Sequence, residues 1–380
     1  MSFSNRFRPP SRRNHNKTAL IMAGGTGGHI FPGIAVARAL EARGWQIAWL
    51  GSKGGMEEKI IGEADISLNL VNINGLRGNG ALGWLKAPFR LTRAVREAAR
   101  VLAKEKPVLV LGFGGFASGP GGIAAFFNRT PLIIHEQNAV AGLTNRVLAK
   151  VSMKIFQAFP ATFSEKSGAL TVGNPVREEI AHLNLVERDE TGDKADSPLN
   201  LLVLGGSRGA VALNRELPAI LARVNQRRPL IIRHQVGAGR LEQGERFYHE
   251  AGLDNQVVHC LEFIDDVASA MEWADLIICR AGASTVSEVA AASRCAIFIP
   301  YPFAVDDHQT ANANWLVRQS AGLCFDEKEI AGEIFGDTLI NLVKEPEKIK
   351  EMAVNAGRVA FLNAADEIAD YCEKIRKQAA

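Results

Sequence analysis

The 380-residue sequence is poor in cysteine, and its five cysteines form no Cys-x-x-Cys pair. An odd number of widely spaced cysteines argues against a disulfide framework, and the missing pair argues against a zinc site. We therefore predict reduced, mostly buried thiols in a cytosolic protein.

The sequence also lacks a segment suited to crossing a membrane. Its N-terminus has no apolar core of the kind that a secretory signal requires. Residues 107–128 carry no charge, but six of them are glycine and two are proline, which disfavours a transmembrane helix. We therefore expect no membrane span.

Acidic residues are almost missing from two segments, although the net charge of the chain is only +3. Residues 1–17 contain five basic residues and no acid, and residues 77–104 contain seven basic residues and one acid. The remaining residues carry a net charge of −8. This separation predicts an anionic partner for the basic segments, and residues 1–17 are predicted to be a disordered tail.

Apolar runs alternate with loops and helix-period segments along most of the chain. Thr18–Ala23 is a predicted strand, followed by a glycine-rich loop and a helix through Ala42. After a polar stretch at 184–197, the pattern begins again at Leu201–Leu204. Such alternation indicates parallel sheets wound with helices. We predict an α/β fold with two Rossmann-like domains that face a cleft.

A glycine-rich loop follows the first strand of each predicted domain. Gly24-Gly-Thr-Gly-Gly-His29 and Gly205-Gly-Ser-Arg-Gly-Ala210 share a Gly-Gly pair, a small hydroxyl residue and a further glycine. Glycine lets the backbone approach a phosphate, and the helix N-terminus that follows supplies amide donors. Neither loop fits the dinucleotide or Walker patterns, and no acid ends the second strand at Trp49-Leu-Gly-Ser52. Alternatively, the glycines only form tight turns.

Two side chains near helix starts are candidates for chemistry. His29 stands where the first loop enters its helix, and histidine is the most frequent general base; an ordinary helix-start histidine is the alternative. Glu288 follows the predicted strand Leu276–Ile278 and is placed to accept two ribose hydroxyls. Alternatively, Glu288 completes a capping box with Thr285.

Further polar residues follow strands at the carboxyl edge of the predicted sheets, where α/β proteins usually bind ligands. Arg177 is available to a phosphate or carboxylate, and Pro300–Asn312 suits sugar hydroxyls. No Asp-x-Asp motif occurs. If a nucleotide diphosphate is the leaving group, we expect helix N-termini and side-chain donors to stabilise its charge in place of a chelated metal.

One basic segment is interleaved with apolar residues. Four residues from Leu91 to Leu102 have helical spacing, which predicts a helix packed on the sheet. The preceding segment has two aromatic residues among cations, which predicts a patch for an anionic membrane surface. Nucleic acid is disfavoured, because no binding motif accompanies the patch. The predicted membrane patch consists of Leu82, Trp84, Leu85, Lys86, Phe89 and Arg90.

Several of these segments, in this order, resemble the MurG family of bacterial transferases over about residues 18–370. The segments are Gly24–His29, Gly112-Phe-Gly-Gly-Phe-Ala-Ser-Gly-Pro120, His135-Glu-Gln-Asn138, Gly173-Asn-Pro-Val-Arg177, Gly205-Gly-Ser207, Phe263-Ile-Asp-Asp266, Cys279–Glu288 and Pro300–Asn312.

The resemblance implies an inverting GT-B glycosyltransferase of peptidoglycan synthesis. Such an enzyme moves N-acetylglucosamine from UDP-N-acetylglucosamine to the C4 hydroxyl of a lipid-linked muramyl-pentapeptide, as a peripheral protein at the cytoplasmic face of the bacterial inner membrane. The acceptor domain would be residues 18–175 and the donor domain residues 176–357, with a final helix at about 358–380 packing back on the first. The resemblance implies that no cofactor is required. A divalent metal is the alternative, although the sequence contains no metal-binding motif for it. Further partners would be cell-wall synthesis proteins.

The resemblance also implies residue roles, with His29 as the catalytic base. Predicted donor contacts are Thr26, Gly27, Gly28, Asn138, Arg177, Ser207, Ile264, Ala283, Ser284, Thr285, Val286, Ser287, Glu288 and Gln309. Predicted acceptor or phosphate contacts are Gly114, Gly115, Ser118, His135 and Glu136.

One residue departs from the family pattern, since Arg208 stands where the second loop usually has glutamine. It either adds a phosphate contact or points outward. Two other functions stay open: a UDP-sugar 2-epimerase, which would not use the membrane patch, and a membrane-attached nucleotide-sugar sensor without turnover.

Overall fold

The computed structural model describes the backbone of residues 17–64, 66–73, 80–185, 197–206 and 209–379, without the side chains of 80–87, 185, 305 and 379. The predicted tail up to residue 16 therefore lies outside the described residues. So do Ser207, Arg208 and most of the polar stretch at 184–197.

The first sheet has seven strands in the order β3-β2-β1-β4-β5-β6-β7. Its central strands are apolar runs, and all six residues of β1 and of β4 are buried, as expected for strands covered on both faces. The strands are β1 (Thr18–Ala23), β2 (Gln46–Ser52), β3 (Ser67–Val71), β4 (Leu109–Gly114), β5 (Leu132–Glu136), β6 (Lys154–Gln157) and β7 (Leu170–Thr171).

The second sheet has six strands in the order β10-β9-β8-β11-β12-β13. Side chains alternate between its two faces: Leu201 and Val203 join one apolar cluster, and Leu202 and Leu204 join the other. The strands are β8 (Leu199–Leu204), β9 (Leu230–Gln235), β10 (Val258–Leu261), β11 (Leu276–Cys279), β12 (Cys295–Phe298) and β13 (Leu323–Cys324).

Helices connect these strands. They are α1 (Gly27–Ala42), α2 (Glu57–Glu63), α3 (Gly80–Glu105), α4 (Ser118–Phe127), α5 (Leu143–Leu148), α6 (Glu178–His182), α7 (Val211–Asn225), α8 (Leu241–Glu250), α9 (Val267–Trp273), α10 (Ala283–Ala291), α11 (His308–Val317), α12 (Glu333–Val343), α13 (Pro346–Arg358) and α14 (Ala364–Ala379).

Both sheets have the strand order of a Rossmann fold, which confirms the predicted fold class. In each sheet the first strand is central, and the order reverses between it and the fourth strand. Loops after these two strands form the crevice in which open α/β sheets bind ligands. The crevice lies between β1 and β4 in the first sheet, and between β8 and β11 in the second.

The chain forms two compact units. The first contains residues up to 135, 143–155 and 369–380, and the second contains 136–142 and 156–368. These limits differ from the predicted ones, since 136–142 and 156–175 belong to the second unit. Within the first unit, α14 contacts the turn between α1 and β2: Arg43 Nη2 lies 2.9 Å from Asp370 Oδ1, and Trp45 Nε1 donates to Glu373.

Two local expectations can be judged directly. The predicted strand Thr18–Ala23 and the helix ending at Ala42 are confirmed. The capping box Thr285-x-x-Glu288 is wrong, because α10 begins at Ala283 and its N-cap residue is Gly282, three residues before Thr285. Glu288 therefore lies inside the helix.

Candidate active-site residues

The first glycine-rich loop connects β1 to α1 at the crevice of the first unit. Gly25 has a φ of +89°, and Thr26 is the N-cap residue of α1 in extended conformation. The N–H groups of the first helical turn have no intrahelical acceptor, so Gly27 and Gly28 present amide donors where the dipole is positive. This geometry suits an anionic ligand group.

His29 lies against the loop that follows β4. A Cβ atom on Gly114 would stand 3.1 Å from Nδ1 and Cε1 of the His29 ring. A Cβ atom on Gly115 would stand 2.2 Å from the carbonyl oxygen of Gly24. Both glycines have positive φ values, +97° and +81°. Glycine is thus required here because the two loops touch, and the structure brings together the predicted residues His29, Gly114 and Gly115.

Ser118 lies at the same place but is fully buried. Its Oγ is 2.8 Å from the carbonyl oxygen of Met22 and 2.6 Å from that of Gly114. The hydroxyl therefore ties the end of β1 to the end of β4. His135, also predicted for the acceptor, is buried with its ring centroid 5.6 Å from that of Phe113.

Sequence reasoning missed a buried carboxylate beneath the first loop. Glu57, the first residue of α2, is fully buried and accepts a hydrogen bond from the Gly25 N–H at 3.2 Å. The signal that could have found it is its position five residues after the end of β2. The sequence prediction considered an acid only at the strand end itself, Trp49–Ser52.

In the second unit, the Glu136 side chain accepts hydrogen bonds from the backbone of the residues that follow it. Oε1 accepts from the backbone N–H of Asn138 at 3.0 Å, and Oε2 accepts from the N–H of Gly142 at 3.1 Å. The carboxylate is buried. It therefore shapes residues 136–142, and its predicted acceptor contact stays a prediction.

Asn312 joins that segment to the start of α10. Its Oδ1 accepts from the Ala139 N–H at 2.8 Å, while its Nδ2 donates to Asn138 Oδ1 at 3.3 Å and to the carbonyl of Ala281 at 3.1 Å. Asn312 ended the segment predicted to bind sugar hydroxyls. The structure brings together Asn138 and the turn before Ala283.

The N-terminal turns of α10 carry polar side chains of two kinds. Ser287 Oγ accepts from Asn174 Nδ2 at 3.0 Å. Ser284 Oγ is buried without a hydrogen-bond partner among the described residues. An unpaired hydroxyl beside the positive end of a helix suits an anionic oxygen.

Glu288 pairs with Arg177 within the second unit. Arg177 donates to Glu288 Oε1 through Nη2 at 2.9 Å and through Nε at 3.2 Å. Burial raises the pKa of Glu288, while the Arg177 guanidinium acts to lower it. The sequence predicted separate roles for these residues, and the structure makes each the partner of the other.

The remaining predicted donor contacts are dispersed over the unit. Ile264 is buried in the apolar cluster that contains Val286. Gln309 Oε1 accepts from the backbone N–H of Tyr301 at 2.9 Å. Gly206, which precedes the predicted contact Ser207, has a φ of +80°, and a Cβ atom placed on it would meet no atom within 4 Å among the described residues.

The predicted membrane patch is only partly described. The side chains of Leu82, Trp84, Leu85 and Lys86 lie outside the described residues, but α3 carries Phe89, which is 81% exposed, and exposed Arg90. Helix α4 packs on α3 and carries Phe126 and Phe127, which are 51% and 76% exposed. The α4 pair was not part of the predicted patch.

The described part of the chain has neither a metal-ligand cluster nor a helix suited to crossing a membrane. No group of three or more histidine, cysteine, aspartate or glutamate side chains there could hold a metal ion. No helix in the described ranges is long and apolar enough to span a bilayer.

Comparisons with known proteins point to a single family. The glycosyltransferase family 28 N-terminal domain matches residues 19–157, and the family 28 C-terminal domain matches residues 200–369.

Individual relatives match along nearly the whole chain. A Chromohalobacter salexigens protein named UDP-N-acetylglucosamine–N-acetylmuramyl-(pentapeptide) pyrophosphoryl-undecaprenol N-acetylglucosamine transferase is 48% identical, with 93% of this chain and 95% of that protein covered. A Hahella chejuensis protein of the same name is 47% identical, with 94% and 97% covered.

A crystal structure of MurG from Acinetobacter baumannii superposes with a TM-score of 0.79. It is 39% identical in sequence, and the match covers 94% of this chain and 99% of that one. The two matched family domains correspond to the two Rossmann sheets, the domain composition of a GT-B glycosyltransferase. This protein therefore belongs to glycosyltransferase family 28 and is a hexosyltransferase.

Proposed function

We propose that this enzyme transfers N-acetylglucosamine from UDP-N-acetylglucosamine to the C4 hydroxyl of an N-acetylmuramyl-(pentapeptide) pyrophosphoryl-undecaprenol, in peptidoglycan synthesis. The observation that carries the proposal is the 48% identity over 93% of the chain to a relative named for this reaction. The candidate site is consistent with it, because each unit has a strand-to-helix turn with amide donors suited to phosphate.

The second unit is proposed to hold the donor. Glu288, 14% exposed, accepts hydrogen bonds and would bind the ribose hydroxyls, and Arg177 would be released towards the diphosphate. Amide donors and Ser284 at the start of α10 would stabilise the charge of the leaving UDP. The proposal needs no cofactor.

The first unit is proposed to take the acceptor. His29 removes the proton of the C4 hydroxyl, and the oxygen attacks the anomeric carbon opposite the UDP. The bond between that carbon and the diphosphate oxygen breaks, UDP leaves, and the configuration inverts in a single displacement. The acceptor pyrophosphate would lie against the Gly114–Gly115 turn, whose glycines have positive φ values.

The proposal is tested by turnover with and without the lipid acceptor. Wild-type protein, labelled UDP-N-acetylglucosamine and the lipid acceptor should give a glycosylated lipid and one UDP per transfer. Donor alone should give neither free sugar nor epimer. An epimerised sugar nucleotide would indicate a 2-epimerase, and donor binding without product would indicate a sensor.

We also propose that the protein is peripheral at the cytoplasmic face of the inner membrane, with α3 and α4 of the first unit in contact with anionic lipid. Exposed aromatic residues beside basic ones support this. Phe89→Asp combined with Phe127→Asp should reduce cosedimentation with anionic vesicles. Ile334→Asp, at an exposed apolar residue of α12 in the second unit, is the matched control. Equal loss in both variants would contradict the proposal.

A further inference from the structure

Glu57 is enclosed by glycines from three segments of the first unit. A Cβ atom on Gly24, Gly51 or Gly55 would stand 2.2, 2.6 or 2.3 Å from atoms of its side chain. These distances are shorter than any ordinary contact, so the three positions leave room for the carboxylate and for nothing larger. The loop after β1, the end of β2 and the turn before α2 are shaped around one side chain.

The carboxylate accepts three hydrogen bonds in this enclosure. Oε1 accepts from the Ser52 N–H at 2.7 Å and from the Ser52 hydroxyl at 2.6 Å, and Oε2 accepts from the Gly25 N–H at 3.2 Å. No lysine or arginine pairs with it in the part of the chain that the structure describes. A buried carboxylate without a cation is costly unless donors satisfy it, so these three donors define where it can lie.

The bond to Gly25 acts on the start of α1. Gly25 is followed by the N-cap residue Thr26, and the His29 N–H donates to the Thr26 carbonyl at 3.1 Å. On the other side of the loop, Gly115 packs on the Gly24 carbonyl and Gly114 on the His29 ring. The loop is therefore held by the hydrogen bond to Glu57 on one side and by packing against the loop after β4 on the other.

We infer that Glu57 is a positioning residue for the transfer: through Gly25 it fixes the first glycine-rich loop and the beginning of α1, and so sets the place of His29. This inference rests on the proposed function. Glu57 is buried beneath the loop and touches no reacting atom in this arrangement. A misplacement of about 1 Å in a reacting group can lower a rate by about 100-fold, so the anchor matters for turnover more than for donor binding.

The test is Glu57→Gln, with Glu58→Gln as the matched control. Glutamine has the same shape, but its NH₂ group would face either the Gly25 N–H or the Ser52 donors. Glu58 is the neighbouring exposed residue and accepts from the Gly54 N–H at 2.5 Å. We expect kcat to fall about 10- to 100-fold in Glu57→Gln, with the KM for UDP-N-acetylglucosamine within about twofold. Glu58→Gln should keep both constants within about twofold.

A second readout does not depend on turnover. Amide hydrogen exchange of residues 25–29 should quicken in Glu57→Gln and not in Glu58→Gln, while exchange in β9 of the second unit stays unchanged. If wild-type protein shows no transfer, the proposed function fails, and the exchange experiment still decides the inference. Wild-type kcat and unchanged exchange at residues 25–29 would overturn it.

Ser52→Ala tests the same anchor if Glu57→Gln does not fold. It removes one of the three donors and leaves the bond between Glu57 and the Gly25 N–H. We expect a smaller change in the same direction, with kcat lowered about two- to fivefold and faster exchange at residues 25–29. Wild-type values in both measurements would overturn the inference.

Discussion

Each unit has a carboxylate with little solvent exposure beside its candidate site, and the two are satisfied in different ways. Glu57 accepts hydrogen bonds from uncharged donors of its own unit's loops. Glu288 pairs with Arg177, whose side chain is 39% exposed. A partner that reaches solvent can be exchanged for a ligand hydroxyl, whereas the enclosed amide and hydroxyl donors of Glu57 cannot. This difference supports the proposed positioning role of Glu57 and the proposed donor contact of Glu288.

The two glycine-rich turns differ in the same sense. In the first unit, Gly115 of the loop after β4 packs on Gly24, and Gly24 helps to enclose the Glu57 side chain. In the second unit, Cβ atoms on Gly205 and Gly209 would meet the carbonyl oxygens of Gln235 and Val236, at 2.7 and 2.1 Å. Similar sequences thus form turns supported by a carboxylate in one unit and by backbone at the end of β9 in the other.

The largest effect is expected at His29, the proposed general base in the first unit. His29→Ala should lower kcat about 10²- to 10⁴-fold, because a positioned general base contributes about this much. The measurement is the rate of labelled transfer to the lipid acceptor. His182→Ala, at an exposed histidine of α6, is the control. A rate near wild type in His29→Ala would mean that another group takes the proton.

The contact between the two loops of the first unit can be broken by one methyl group. Gly115→Ala should lower the free energy of unfolding by about 3 kcal/mol, since it adds overpacking against a backbone oxygen to the strain of a positive φ. Gly206 has nearly the same φ, +80°, but an added Cβ atom would meet no described atom within 4 Å, so Gly206→Ala should cost about 1 kcal/mol. Urea unfolding of both variants gives the difference. Equal costs would show that the loops do not press on each other.

Glu288, the proposed donor-binding residue, should give the opposite kinetic pattern to Glu57. Glu288→Gln should raise the KM for UDP-N-acetylglucosamine about 10-fold or more, because a hydrogen bond to a charged group is worth about 1.5–3 kcal/mol, with a smaller change in kcat. Glu179→Gln, at an exposed residue of α6 near Arg177, is the control. Steady-state kinetics with varied donor decides it. A lowered kcat with unchanged donor KM would remove Glu288 from the donor site.

The smallest effect concerns the pH dependence of the second unit. Burial lowers the pKa of His234 from 6.5 to about 3. Its Nδ1 lies 2.8 Å from the Tyr248 hydroxyl, and its Nε2 has no partner among the described residues. Between these two pKa values the unfolded chain binds a proton that the folded chain does not. His234 therefore contributes stability that is complete above pH 6.5 and is lost as the pH falls towards 3.

Wild-type protein should lose about 1 kcal/mol more of its free energy of unfolding between about pH 7 and about pH 5.5 than His234→Gln does. Urea unfolding at the two pH values measures this difference. His249→Gln, at an exposed histidine of α8, should behave as wild type. Parallel losses in wild type and His234→Gln would show that this histidine is not held neutral by burial.

Much of the fold could be predicted from the sequence. Apolar runs bounded by glycine located β1 and β8, and helical spacing located α1, because both patterns are local. The interfacial segment and the packed helix predicted between residues 82 and 102 form one continuous helix, α3, with Pro88 inside it. The capping-box prediction was wrong because α10 begins closer to the end of β11 than the local sequence pattern indicated.

The candidate site was harder to predict, because its contacts join residues far apart in the chain. The pair Arg177–Glu288 spans 111 residues, and the bond between Asn138 and Asn312 spans 174. Glu57 was missed for a related reason. It is close in sequence to Ser52, Gly51 and Gly55. However, Gly24 and the Gly25 N–H reach it from a different loop.

The sequence by itself determined which chemical groups are available: two strand-to-helix turns of glycine, a histidine at one helix start, and carboxylates near both. The order of apolar and glycine-rich segments is enough to locate these groups, because strands and tight turns are determined largely by residues adjacent in the sequence. Only the tertiary structure decided that Glu57 is enclosed and holds Gly25, while Glu288 is paired with Arg177. Burial and partner choice arise where segments meet, and there the cost of an unsatisfied charge selects the arrangement.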